Sequence, residues 1–202
     1  MEVSPPDIAQ PLLLTARLRL VAADEQLAGA LLDFHERNRA HLAPWDPPTD
    51  AAFYTEAEQG RRLRDAAATF AAGTGYRWLL QPIGDPHRVI GTIHFSNIVR
   101  GPFQSCNLGY ALDRAYEGQA LMTEALRCAI GELFSPRINL HRIQAAYRPE
   151  NTRSAEVLKR LGFDDEGLCN DYLFIDGLWR MHRIATLLNR AFVLPDAWRA
   201  ER

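Results

Sequence analysis

Tyr116-Glu117-Gly118-Gln119-Ala120-Leu121-Met122-Thr123-Glu124-Ala125 sets a tight turn at the head of an amphipathic helix. Gly118 has no Cβ and Ala120 only a methyl group, so consecutive backbone N–H groups can converge on a ligand without side chains in the way. In the helix that follows, Leu121, Ala125, Leu126, Ala129, Ile130 and Leu133 recur at helical spacing. Its N-terminus adds about half a positive charge. A glycine ahead of a helix also occurs as a plain turn, so this stretch is read with what surrounds it. No third glycine and strand-ending acid complete a dinucleotide fingerprint, and no Gly-Lys-Ser/Thr completes a Walker loop. What remains is a cradle for a diphosphate without a metal partner, which fits coenzyme A.

A second cassette lies downstream in Asn151-Thr152-Arg153-Ser154, followed by Leu158 and closed by Leu161-Gly162-Phe163. As a helix cap Asn151 contributes about 1 kcal/mol to stability and needs no other role. A helix start beside the first would also place the Ser154 hydroxyl and the Asn151 amide near a thioester sulfur, where a hydroxyl can protonate a departing thiolate.

Outward from these cassettes the chain alternates between helical and strand patterns. Residues 15–21 read as a strand, with Leu18 and Leu20 on one face and Arg17 and Arg19 on the other. Asp24 caps a helix over residues 25–38, whose stripe is Leu27, Leu31, Leu32 and Phe34. Pro44-Trp45-Asp46-Pro47-Pro48 ends it, and a second, more polar helix spans residues 56–71. Residues 77–81, 89–95 and 106–112 form an antiparallel meander, with turns at Gly84-Asp85-Pro86 and Arg100-Gly101-Pro102. After the helix from Ala120 come a strand over residues 142–147 and a helix from Asn151 to about Leu161. A closing hairpin over residues 172–175 and 179–187 turns at Asp176-Gly177. This order is an α+β fold rather than a doubly wound sheet: a mixed, mostly antiparallel sheet with one central parallel pair and helices on both faces. One domain over residues 13–188 is expected, with a flexible arm at 1–12 and a tail at 189–202.

Composition narrows the function. A net charge of −2 gives no basic field for reading nucleic acid. Cys106, Cys128 and Cys169 are widely spaced, and the six histidines show no metal-ligand spacing, so neither a disulfide framework nor a metal is expected. Cys128 falls in a predicted helix and Cys169 in a predicted loop, and neither is favoured as a covalent nucleophile. With no leader-like start and no long apolar run, the expected place is the cytoplasm, away from membranes.

Taken together, the cassettes resemble the acetyl-CoA site of the GNAT N-acetyltransferases, and residues 13–188 look like its RimJ/RimL branch. The likeness is carried by Leu14-Thr15-Ala16-Arg17-Leu18-Arg19-Leu20, by Asn38-Arg39-Ala40-His41-Leu42-Ala43-Pro44-Trp45, by Leu108-Gly109-Tyr110, by residues 118–125, by His141-Arg142-Ile143 and by residues 151–163. Phe95-Ser96-Asn97-Ile98-Val99-Arg100-Gly101 and Asp171-Tyr172-Leu173-Phe174-Ile175-Asp176-Gly177 point to its RimJ side, which acetylates the N-terminal alanine of a ribosomal protein. The resemblance implies that strands ending near Leu112 and Tyr147 splay around pantetheine. It implies that Glu117, Gly118, Gln119, Ala120, Leu121 and Met122 hold the pyrophosphate, with Asn151 and Ser154 beside the thioester. Ala120 departs from the usual second glycine, and Ala115 from the usual Arg or Gln. Ala146 and Leu158 occupy the places of the glutamate and tyrosine that serve as base and acid in the related RimI branch.

The expected reaction is direct attack by an amine on acetyl-CoA in a ternary complex. Backbone N–H groups stabilise the oxyanion, Ser154 partners the thiolate, and water relays the proton to Asp171 or to bulk solvent, with no general base assigned. Trp45, Ser96, Asn97, Arg100 and Tyr172 are the acceptor-side candidates; Trp45 as a core aromatic and Arg100 as a surface arginine are the plainer alternatives. Lacking an evident strong base, the site suits an N-terminal amine over lysine, whose deprotonation costs about 3.3 kcal/mol more at neutral pH. Two rivals stay open: acetylation of a small amine such as an antibiotic, and a non-catalytic coenzyme-binding or ribosome-assembly role. A monomer and a homodimer are both compatible with the sequence.

Overall fold

The computed structural model describes residues 10–195 and residue 198. Its centre is an eight-stranded sheet in the order β1-β2-β3-β4-β5-β6-β8-β7. The strands are β1 (Leu13–Leu14), β2 (Leu18–Ala22), β3 (Tyr76–Pro82), β4 (Gly91–Val99), β5 (Ser105–Leu112), β6 (Arg142–Tyr147), β7 (Asp164–Ile175) and β8 (Leu178–Leu188). Every neighbouring pair is antiparallel except β5 and β6. The helices are α1 (Ala28–Arg37), α2 (Arg39–Leu42), α3 (Glu56–Ala71), α4 (Leu121–Phe134) and α5 (Thr152–Arg160).

Alternation along the strands divides the apolar side chains between two cores. On one sheet face Leu18, Leu20, Trp78, Leu80, Ile93 and Phe95 pack with Leu126, Ala129 and Leu133 of α4. On the other, Leu79 and Val89 pack with Leu31 and Phe34 of α1 and Leu63 of α3. Helix α4 is apolar enough to lie across the sheet, and its Ala125, Leu126, Ala129 and Leu133 are fully buried.

Several boundaries differ from the pattern-based reading. The first strand breaks into β1 and β2 because the Thr15 amide and hydroxyl both donate to the Leu18 carbonyl, turning the chain back on itself. The first helix opens with a 3-10 turn, capped by Asp24 accepting from the Gln26 amide, and α2 follows α1 across Asn38. Strand β7 begins at Asp164, eight residues before the hairpin strand that turn chemistry indicated, so Cys169 lies in a strand rather than a loop. Its first half is polar and exposed at the sheet edge, which hides it from a hydrophobic-pattern search.

Of the expected N-terminal arm, residues 1–9 lie outside the described residues. Gln10 donates to the Arg77 carbonyl at 2.7 Å and the Trp78 indole donates to the Pro11 carbonyl at 3.1 Å. Of the expected tail, Asn189 is buried against the Leu140 carbonyl, Phe192 meets the His141 ring edge-on, and Asn139 pairs with the Val193 backbone. Residues 196, 197 and 199–202 are not described. Among the described residues no helix is long and apolar enough to cross a membrane, and no cluster of three His, Cys, Asp or Glu side chains forms a metal site.

Candidate active site

The parallel ladder of β5 and β6 runs from Ser105–Arg142 to Leu108–Ala145 and stops, although β5 continues to Leu112 and β6 to Tyr147. Into this parting opens a cleft of about 740 Å³. Its walls are the turn before α4, the head of α5, and the segment from α2 to Asp46.

The turn before α4 is built as a donor array. Gly118 has φ +74° and Ala120 has φ +57°, so the chain takes two left-handed steps in three residues. At Gly118 that conformation is free of Cβ strain, whereas at Ala120 it costs about 1–2 kcal/mol. Ala120 is the N-cap of α4 and supplies no side-chain cap. Among the described residues, the N–H groups from Gly118 to Thr123 meet no protein acceptor, and the buried Thr123 hydroxyl has no partner either. Unpaired donors cost free energy when buried, and they face the cleft beside the positive end of the helix dipole. An anionic diphosphate is the complement of such an array.

Two clamps hold the turn in place. Arg17, from the bend between β1 and β2, donates to the Gln119 carbonyl at 3.0 Å and pairs with Glu124 at 2.6 Å. Asp113, at the end of β5, is buried; it accepts from the Ala115 amide at 3.0 Å and pairs with Arg37 of α1 at 3.1 Å. Burial works to raise the Asp113 pKa, but these donors hold it below the usual carboxylate range.

At the other wall, Asn151 accepts from the Ser154 amide at 3.1 Å, so its carbonyl oxygen caps α5. The Ser154 hydroxyl lies 2.7 Å from the phenol of Tyr110, which comes from β5 where the strands part. Burial pushes the Tyr110 pKa well above its ordinary value despite the hydrogen bond to Ser154, so the phenol keeps its proton. The pair is therefore a short proton-donating chain ending in the cleft.

At the rim, Glu117 reaches His41 and Arg153, each at 3.3 Å. Trp45 lies under the Arg148 guanidinium at 5.5 Å, and Arg148 also donates to the Pro44 carbonyl at 2.7 Å, which fixes this segment against the end of β6. Asp46 lines the cleft and is exposed to it. Burial pushes its pKa up to about 6, with Arg62 opposing the shift.

Of the residues chosen from sequence, Leu112, Glu117, Gly118, Ala120, Leu121, Met122, Asn151, Ser154 and Trp45 all line this cleft. Gln119 does not line the cleft: its side chain folds back 3.4 Å from the Ala115 carbonyl and its own carbonyl accepts from Arg17. The remainder are not brought here. Asp171, at φ +47°, sits in an irregular stretch of β7, and Tyr172 packs 5.4 Å from the His182 ring. Ser96 and Asn97 line a separate recess near the far end of β4. Arg100 donates to the Ile138 carbonyl at 2.8 Å, beside the start of β5 rather than its open end. Because β4 runs antiparallel to β5, Gly91 lies opposite Leu112 at the cleft and Val99 lies opposite Ser105 at the other end. Tyr110, Asp46, His41 and Thr123 were given no role from sequence. Tyr110 belongs to a quoted family stretch, but its partner Ser154 is 44 residues away, beyond any local pattern.

Residues 17–164 match the family model described as an acetyltransferase (GNAT) domain. The chain is 38% identical over 176 residues to the [ribosomal protein uS5]-alanine N-acetyltransferase of Escherichia coli K12, covering 87% of this chain and 89% of that one. It superposes on the ribosomal-protein-S5-alanine acetyltransferase of Vibrio fischeri with a TM-score of 0.87 at 33% identity, covering 92% of this chain and all of the other. Mycobacterium smegmatis RimJ, solved in complex with CoA-disulfide, gives a TM-score of 0.80 at 27% identity over 88% of this chain and 84% of its own.

Proposed function

Since the chain belongs to the GNAT acetyltransferase family and is an N-acetyltransferase, we propose that it uses acetyl-CoA to acetylate the α-amine of a ribosomal protein that begins with alanine. The observation that carries the donor half is the run of unpaired amides from Gly118 to Thr123 facing the cleft where β5 and β6 part. The acceptor half is supported by the identity to the uS5-alanine enzyme, which extends over most of both chains.

The amides of residues 118–123 and the Thr123 hydroxyl bind the pyrophosphate, and the parted strands take the pantetheine. Acetyl-CoA supplies an activated acyl carbon and a thiolate leaving group. The Ser154 hydroxyl donates a hydrogen bond to the leaving sulfur while accepting one from Tyr110, which keeps its proton, and the released thiolate is protonated from solvent. Asn151 fixes that hydroxyl by capping the helix that carries it. Across the cleft, Trp45 forms the acceptor floor, and the Asp46 carboxylate draws the incoming amine and takes its proton through water. With a pKa of about 6, Asp46 is a modest base. An α-amine, roughly a tenth neutral at pH 7, needs no stronger one. This assignment leaves out Asp171, Tyr172, Ser96, Asn97 and Arg100, none of which is among the residues lining the cleft.

The test is mass spectrometry of acetyl-CoA incubations with Ala-, Ser- and Met-initiated peptides, intact ribosomal proteins, free lysine and small amines. Acetylation confined to Ala-initiated chains is expected. Labelling of small amines alone would overturn the acceptor assignment, and CoA binding without thiol release from any acceptor would overturn turnover itself.

A further inference from the structure

A second concavity, of about 750 Å³, lies between α3 and the strands β3 and β4 and shares no lining residue with the cofactor cleft. Arg77 and His94 stand directly opposite each other on β3 and β4. Arg62 reaches in from α3, its guanidinium 4.9 Å from the Phe53 ring. The neighbouring Arg61 is neutralised by Glu58 and Asp65, each at 2.6 Å. Arg62 and Arg77 are not: among the described residues no carboxylate lies within 4.0 Å of either. The Arg62 Nε is buried with no acceptor. Asp46 is near enough to sense Arg62 but does not pair with it.

Burial, with Arg62 adding to it, lowers the Arg77 pKa to about 10, so the guanidinium remains charged at neutral pH. Burial, then Arg77 and Arg62, lowers His94 to about 4, leaving a neutral imidazole with one N–H to donate. His94 is held in place by close packing, since a Cβ at Gly109 would run into its ring. Ser96 and Asn97 add neutral polar groups at the edge. Asp65 also lines the recess, but its carboxylate pairs with Arg61; folding Arg62 and Arg77 together with no acid paired to either is unfavourable, and an oxyanion removes that penalty. Guanidinium groups pair with phosphoryl oxygens through parallel N–H donors.

We propose that this recess is an accessory oxyanion site, separate from the cofactor cleft, that takes a dianionic phosphoryl group between Arg62 and Arg77. Two guanidinium charges match two phosphoryl charges, and the volume leaves room for a small organic body on the phosphate. The test uses the full chain saturated with CoA, so that phosphate cannot report on the cofactor cleft. Inorganic phosphate and a nucleoside 5′-monophosphate are titrated by calorimetry against chloride at matched ionic strength. Saturable binding is expected, with shifts in the His94 ring resonances. Tighter binding of the nucleotide marks a phosphorylated small molecule as the ligand, and equal binding marks free phosphate.

Arg77→Gln is expected to weaken either ligand by about tenfold or more, while kcat/KM for the peptide and CoA affinity stay unchanged. Without ligand, this variant should melt no lower than the parent, because it relieves repulsion. Should Arg77→Gln fail to fold, Arg77→Lys keeps the charge but loses the paired donors and should weaken binding less. A response no greater than that to chloride, or unchanged affinity in the folded variant, overturns the proposal.

Discussion

Replacing Ser154 with alanine, alone and together with Tyr110→Phe, tests the proton chain that the cleft contains. The two hydroxyls are 2.7 Å apart, and the phenol has one other acceptor, the Ser154 carbonyl at 3.3 Å. A hydrogen bond to a developing charge is worth about 1.5–3 kcal/mol, or roughly 10- to 150-fold in rate. Ser154→Ala should therefore lower kcat by about that factor, with KM for acetyl-CoA little changed because the proposed pyrophosphate contacts are those of residues 118–123 and not of Ser154. Tyr110→Phe acts through Ser154, so it should cost less, and the double variant should be no slower than Ser154→Ala. Thiol release from acetyl-CoA with an Ala-initiated peptide gives kcat and KM for all four proteins, and calorimetric melting checks that each is folded. Independent, multiplicative losses would refute the chain, as would a Ser154→Ala variant at parental kcat.

Three further outcomes follow from the same geometry. Asp46→Asn should remove the steepening of the acid limb of kcat/KM for the peptide near pH 6: below that pH the parent should lose activity faster than protonation of the acceptor amine alone accounts for, because this raised carboxylate takes up its proton there. Ala120→Gly should raise stability by up to about 1 kcal/mol in calorimetry, because relief of the left-handed alanine exceeds the entropy cost of glycine, and CoA affinity should hold. Arg37→Met should cost about 3 kcal/mol by stranding the buried Asp113. The folded-state pKa of Asp113 is depressed, so its stabilisation is present above the ordinary carboxylate pKa and fades as the pH falls below it. Denaturant melts of the variant from pH 6 to pH 3 should accordingly show a smaller loss on acidification than those of the parent.

The local features were legible because their causes are local. A glycine turn, an asparagine cap and a 3.6-residue apolar period marked α4 and α5, and the meander was bounded by its turn residues. The early part of β7 was not legible, since an exposed edge strand lacks the apolar alternation that would announce it. Phe95 to Gly101 and Asp171 to Gly177 carried the family likeness but gave no sign of where they sit. The direction of β4 relative to β5 put Ser96, Asn97 and Arg100 at the end away from the cleft.

From sequence alone came the fold class, the glycine turn before α4 and the helix that carries Ser154, each set by neighbouring residues through backbone conformation and capping. Only the tertiary structure joined Tyr110 to Ser154, raised the Asp46 pKa and gathered Arg62, Arg77 and His94 into one recess. Those properties depend on which distant strands and helices pack together, and on how much water the packing removes from a charge.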